Sequence, residues 1–223
     1  MKNYLIPCAL VLLAGCAGEP TIQSGPNAEV SYDGLVRVDN ARFAGAWIDP
    51  EVDLTRFKKI MPGGAEFEFR SVDKVSDSAA RRSNKREFFI SESDQQKLEQ
   101  VMNEIFDEEL SKSEIYAFTD EPGPDVMIVR GAMLDIVSYV PPDIRGRGEI
   151  YLDQVGAATL VIEVVDSLTG EVVARAVERR AAEPAGRMGM QSTSVTNWQE
   201  VRRLARRWAR TLREGLESLV SQA

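Results

Sequence analysis

An α+β domain, a mostly antiparallel sheet with two amphipathic helices packed on one face, is the fold class this sequence predicts. Three observations carry the prediction. Short segments with strand-like patterning follow one another across Pro and Gly punctuation, as hairpin-linked strands do. Two segments, one mid-chain and one terminal, repeat apolar residues at helical spacing. No internal repeat breaks this pattern into units. Each helical stripe needs an apolar surface to cover, and one face of a single sheet can serve both.

The first element is a leader. Lys2 supplies the positive charge, Tyr4 to Leu13 the apolar stretch, and Ala14 and Gly15 the small residues before a cleavage point. This is the layout of a secretory signal over residues 1–15. It is shorter than the roughly 20 apolar residues that cross a bilayer. Leu13-Ala14-Gly15-Cys16 resembles a bacterial lipobox. That resemblance implies acylation of the Cys16 thiol, cleavage before it, and acylation (palmitate-type) of the new amino group. More than one chain on Cys16 would anchor a soluble domain without a transmembrane helix. By resemblance to enteric-type lipoprotein sorting, an Asp after the Cys would imply inner-membrane retention; Ala17 stands there, so the expected address is the outer membrane, facing the periplasm.

Residues 16–42 are rich in Gly, Pro, Ser, Asn and Asp and read as the lipidated Cys16 followed by a flexible tether, with a single domain over 43–223. In that domain AGAWID, LTRFKKIM and AEFEFRSV are candidate strands, separated by Pro50 and by Pro62-Gly63-Gly64. Residues 76–87 are polar and read as a loop. A helix is predicted over 94–111, with Ser93 and Gln96 as a capping box and Leu98, Val101, Met102, Ile105, Phe106 and Leu110 as its stripe. Residues 120–143 read as a long apolar strand stopped by Pro141-Pro142. Residues 156–180 read as a hairpin. Ala158, Leu160, Ile162 and Val164 line one face, and Val172, Ala174 and Ala176 return beside them. Gly170 takes the left-handed turn position. Residues 183–196 read as a loop. The final helix opens on the pair Asn197 and Glu200 and carries Val201, Leu204, Ala205, Trp208, Leu212, Leu216 and Leu219 inward. Trp47 and Trp208 are expected to serve packing.

Composition narrows the chemistry. The 223-residue chain has no histidine, two cysteines and a formal charge of −8. Cys8 leaves with the leader and Cys16 carries lipid, so no disulfide is expected. The lack of His removes the commonest general base and metal ligand. Ser/His/Asp and Cys/His catalysis are excluded, and no metal or cofactor is expected. So acidic a chain does not suit nucleic acid. Ser71-Val72-Asp73-Lys74 spells S-x-x-K, but it ends a strand and lacks the companion motifs of penicillin-recognising enzymes. Gly146-Arg147-Gly148 fails the dinucleotide pattern at Tyr151. Acidic groups at Glu104, Asp107, Glu108 and Glu109, and at Asp120, Glu121 and Asp125, lack calcium-loop spacing. The last helix turns Arg202, Arg203, Arg206, Arg207, Arg210 and Arg213 away from its stripe. Of these, Arg203, Arg206 and Arg210 are candidates for contact with an anionic surface.

Several stretches together resemble one family. They are Trp47-x-Asp49-Pro50, Phe57-Lys58-Lys59-Ile60, Pro122-Gly123-Pro124-Asp125 and Ala157-Ala158-Thr159-Leu160. Asp166-x-x-Thr169-Gly170-Glu171-Val172, Asn197-Trp198 and Arg207-Trp208-Ala209-Arg210 complete the set. In this order, and with the lipobox, the chain is similar to domain-of-unknown-function family 3313. The resemblance implies a lipoprotein of Gram-negative bacteria, and it brings no catalytic residue. The expected function is non-enzymatic: a binding or accessory component of a cell-envelope complex, with a membrane contact through Cys16 and an envelope protein as partner. Two other readings stand beside it. One is an envelope-glycan hydrolase using paired carboxylates. The other is a carrier of lipid or another hydrophobe, which needs an apolar cavity between sheet and helices.

Overall fold

The computed structural model describes residues 18–74, 86–141, 149–184 and 189–221, with side chains to Ser218. The leader, Cys16, residues 76–85, Gly146-Arg147-Gly148 and the Leu219 side chain lie outside the described residues.

The described residues form ten strands and two α-helices in chain order. The strands are β1 (Thr21–Ile22), β2 (Val36–Asp39), β3 (Gly45–Ile48), β4 (Lys59–Phe69), β5 (Ala117–Phe118) and β6 (Val126–Ser138). Then come β7 (Tyr151–Leu152), β8 (Gly156–Asp166), β9 (Val172–Ala182) and β10 (Met190–Gln191). Helix α1 is Glu92–Leu110 and α2 is Ser194–Ser221. Eight strands form one sheet in the order β1-β2-β3-β9-β8-β6-β4-β5, and β7 pairs with β10 apart from it. The long central pairs β3/β9, β8/β9 and β6/β8 are antiparallel, while β4 runs parallel to β6. The parallel pair has a cause: α1 lies between β4 and β6 in the chain, and a crossover helix returns the chain in the same direction.

The sheet has one packed face. Ala158, Leu160, Ile162 and Val164 are all buried there, as their alternation predicts. Onto them pack Leu98, Val101, Met102 and Ile105 of α1 and Ala205, Trp208, Ala209, Leu212 and Leu216 of α2, in one continuous cluster. The helices run side by side in the same direction. Near their N-terminal ends the Lys97 ammonium sits 4.2 Å from the Trp198 ring centre. Further along, Arg213 Nε donates to Glu109 Oε1 at 3.2 Å. Tyr116 is buried beside them, and its hydroxyl donates to the Leu216 carbonyl at 3.0 Å. Burial pushes that phenol up to about 12.

Several elements differ from the sequence reading. Residues 18–42 are not a free tether, because β1 and β2 extend the sheet from β3 and Leu35 is 2% exposed. Their polar composition is that of short edge strands joined by turns. Strand β4 runs through Pro62-Gly63-Gly64 instead of breaking there, with a register shift between Pro62 and Ala65. Gly64 takes φ +77°, and a Cβ on Gly63 would meet Ile128 Cγ2 at 2.6 Å. The glycines therefore form a bulge against β6. Leu54–Arg56 is a 3₁₀ turn, not strand. The loop expected over 183–196 holds β10 and the start of α2.

Both helices start earlier than expected. Ser91, not Ser93, caps α1, accepting from the Asp94 amide at 3.2 Å. It leaves Glu92 and Asp94 in the first turn, where the helix dipole favours them. At α2, Thr193 and Thr196 cap each other. The Thr196 amide donates to Thr193 Oγ1 at 3.1 Å and the Thr193 amide to Thr196 Oγ1 at 2.9 Å. Asn197 instead donates through Nδ2 to Ser192 Oγ at 3.1 Å. Trp47 is outside the core. It pairs with Arg175 on the face away from the helices, and the Arg37 guanidinium lies 4.8 Å from its ring centre.

Candidate functional site

At one end of the packed face the two helices and the sheet do not close on each other. They enclose a cavity of about 520 Å³. Leu98 and Met102 of α1, one turn apart, form one wall. Trp198, Val201, Leu204 and Trp208 of α2 form the opposite wall, and Met133, Ile136 and Ala158 the floor. The small side chain of Ala158 leaves space where its neighbour Leu160 fills it. Phe88, Phe89 and Ile90 border the opening, with Phe89 44% exposed. Such volumes and apolar linings are typical of small-molecule sites.

A second cavity of about 310 Å³ continues along α1, lined by Met102, Phe106, Phe67, Leu160, Ile162 and Leu212 among others. Met102 and Met133 line both spaces. Their unbranched, polarizable side chains make an adjustable partition.

Behind the α2 wall lies a polar anchor. Trp208 is fully buried, and its Nε1 donates to Glu178 Oε2 at 2.9 Å. Glu178, 6% exposed, also pairs with Arg180. A buried carboxylate is tolerated only with such partners. Sequence reasoning missed this residue, although the signal was present. The alternation that places Ala174 and Ala176 inward continues to Glu178 and Arg180, which face Leu160 and Ala158 across the strands. On the same helix Glu200 is buried and pairs with Arg203, while its Oε2 has no hydrogen-bond partner.

Polar groups at the opening are tied to each other. Glu87 pairs with Arg70, which also holds Asp135. Asp94 accepts from the Ser91 hydroxyl at 2.7 Å. Lys74, the last residue of the S-x-x-K match, lies outside any helix, and its ammonium is 5.5 Å from the Phe89 ring centre. Ser71 and Lys74 are therefore not presented as a nucleophile and base on one turn.

On the outer face, charges run across the strands. Arg130 of β6 pairs with Glu163 of β8 at 2.6 Å, Glu163 with Arg175 of β9 at 2.8 Å, and Arg175 with Asp33 at 2.6 Å. The Arg175 hydrogen bond, helped by Ser31, holds the Asp33 carboxyl down at about 2. Burial opposes ionisation of Glu163 and of Asp166, but Arg130 and Arg175 for the first, and Arg56 with the Leu168 and Thr169 amides for the second, outweigh it and lower both. Asp135 is lowered by Arg70, and Glu109 by Lys112 and Arg213 against its burial. These ionised, paired carboxyls lack the raised pKa of a general acid. Among the described residues no group of three His, Cys, Asp or Glu side chains could hold a metal ion. The acidic run on α1 splits: Glu109 is buried and paired, whereas Glu104, Asp107 and Glu108 are exposed.

The predicted residues do not gather into one site. Trp208 lines the cavity, Trp47 sits on the far face, and Gly170 makes its turn with φ 75°. Arg203 is drawn to Glu200, while Arg206 and Arg210 are exposed.

Comparison with known proteins matches the family described as "Protein of unknown function (DUF3313)" over residues 24–212. A comparison with curated proteins finds no match. Among solved structures, the PelC dodecamer from Paraburkholderia phytofirmans is similar at 10% identity, covering 77% of this chain and 94% of that one, with TM-score 0.36. Protein XCC0632 from Xanthomonas campestris is similar at 12% identity, covering 79% and 94%, with TM-score 0.38. Hypothetical protein CT253 from Chlamydia trachomatis is similar at 10% identity, covering 74% and 95%, with TM-score 0.31.

Proposed function

We propose, from the premise that this chain belongs to the DUF3313 family of unknown function, that it is a non-catalytic binding protein of the cell envelope that holds an apolar ligand between its helices and sheet. The observation that carries this reading is the cavity of about 520 Å³ walled by Leu98, Met102, Val201, Leu204 and Trp208. The continuation past Met102 and Met133 favours an elongated ligand, such as an acyl chain, over a compact one. The leader and Cys16 support lipid anchoring at the outer membrane, on the periplasmic side. In that setting the domain would present or shelter a hydrophobe as an accessory part of an envelope assembly.

Titration of the purified protein with N-phenyl-1-naphthylamine, followed by fluorescence, tests the reading. Saturable binding is expected, displaced by a long-chain fatty acid. Ala158→Phe and Val201→Phe should each weaken it by about tenfold or more, because either ring occupies the ligand's space. If the native protein gives no saturable signal, or both variants bind as it does, the cavity is not a binding site.

A further inference from the structure

The outward side of α2 carries more positive charge than its surroundings neutralise. Arg203 pairs with Glu200, and Arg213 with Glu109 and Glu217. Glu214 is taken by Arg42 at 2.9 Å. Arg206, Arg207 and Arg210 are exposed, and among the described residues their side chains make no ion pair. They stand within about one helical turn, opposite the buried stripe of Ala205, Trp208, Ala209 and Leu212.

We propose that Arg206, Arg207 and Arg210 seat the domain on an anionic lipid surface, beside the point where the chain arrives from its N-terminus. The arrival point is traceable. Gly18 lies against Asn40: a Cβ on Gly18 would meet Asn40 Nδ2 at 2.8 Å. That amide also donates to the Glu19 carbonyl at 3.3 Å. Two residues on, Arg42 holds Glu214, one helical turn from Arg210. Gly18, the first described residue, therefore lies on the side of the basic row, and the lipoprotein reading sets its anchor two residues earlier in the sequence. This part of the inference rests on the lipoprotein reading, while the lipid preference of the row does not.

Chemistry favours a phosphate surface over a protein. Planar guanidinium groups match phosphate oxygens with paired hydrogen bonds. A protein interface centres on buried aromatic or aliphatic residues. The exposed large apolar residue on the described part of α2 is Val195, three turns from Arg206. The chain's charge of −8 does not forbid the contact. Screening over about 8 Å at physiological salt lets the local patch dominate.

The test uses the chain with Cys16→Ser, so that no acyl group contributes. It is mixed with vesicles of phosphatidylethanolamine and phosphatidylglycerol, or of phosphatidylcholine alone, and sedimented. Preference for the phosphatidylglycerol vesicles is expected, lost at high salt. The triple variant Arg206→Gln, Arg207→Gln, Arg210→Gln should bind about 100-fold more weakly, at roughly a fivefold loss per arginine. The corresponding triple Lys variant should keep most of the binding, and thermal unfolding should show all three chains equally folded. Equal binding to both vesicle types, or no effect of the Gln substitutions, overturns the proposal. So does an acidic protein captured by the native row when anionic vesicles are not. Naphthylamine titration of the same samples reads the cavity separately, so either idea can fail alone.

Discussion

Replacing Trp208 by Phe tests the packing that creates the site. The indole is fully buried in the central cluster, and its N–H is given to Glu178 Oε2 at 2.9 Å. Phe keeps most of the apolar contact and removes the donor. Loss of a hydrogen bond to a charged, buried acceptor costs about 1.5–3 kcal/mol. The smaller ring leaves an unfilled volume worth about 1–2 kcal/mol more. The expected destabilisation is thus about 2.5–5 kcal/mol, which for a domain of this size lowers Tm by about 10 °C. Urea and thermal unfolding followed by circular dichroism measure it. Glu178→Gln keeps an acceptor for Trp208 but loses the charge that holds Arg180, so a double-mutant cycle with Trp208→Phe reads the charge-dependent part of the Trp208–Glu178 coupling. A Tm drop below about 3 °C for Trp208→Phe, with no measurable coupling, would refute the role given to this buried pair.

Other expectations follow from the same structure. Asp33 has its pKa lowered from 3.8 to about 2 by Arg175 and Ser31, so its contribution to stability is present above pH 4 and fades as pH falls toward 2. Urea midpoints measured across that window should fall less steeply for Asp33→Asn than for the native protein. Gly170→Ala forces a Cβ into φ 75° and should cost about 1 kcal/mol, and Gly170→Asn less, in chemical denaturation. Thr193→Ala removes the Oγ1 that accepts from the Thr196 amide and should cost about 1 kcal/mol, with faster hydrogen exchange confined to the first turn of α2.

Periodic burial was readable in the sequence because it is a local property. The stripe through Leu98, Val101, Met102 and Ile105 and the alternation through Ala158, Leu160, Ile162 and Val164 mark one face of each element, and the structure buries all eight. The turn at Gly170 was equally legible, since its geometry depends on a few neighbouring residues. What escaped the sequence depends on partners far along the chain. Pro62-Gly63-Gly64 looks like a break until β6 is placed beside it, where the same residues make a bulge. The polar segment ahead of Phe43 looks like a linker until β3 offers β2 an edge to pair with. Glu178 looks like a surface residue until Trp208 comes across from α2. The cavity is the furthest from reach. It is a gap between three elements, and neither Ala158 nor Met133 alone announces it. Family membership was legible from motif order, and it brought no chemistry with it.

The central claim, that an apolar molecule enters between the helices and the sheet, is tested most directly by methyl NMR of the seven methionines during titration with a long-chain fatty acid. Met102 and Met133 line the cavity, while Met127 is buried outside its walls. The account predicts saturable shifts at Met102 and Met133, contacts between their methyls and the acyl chain, and a Met127 signal left in place. Unmoved Met102 and Met133 signals at saturating ligand, or contacts only to methionines elsewhere, would contradict it.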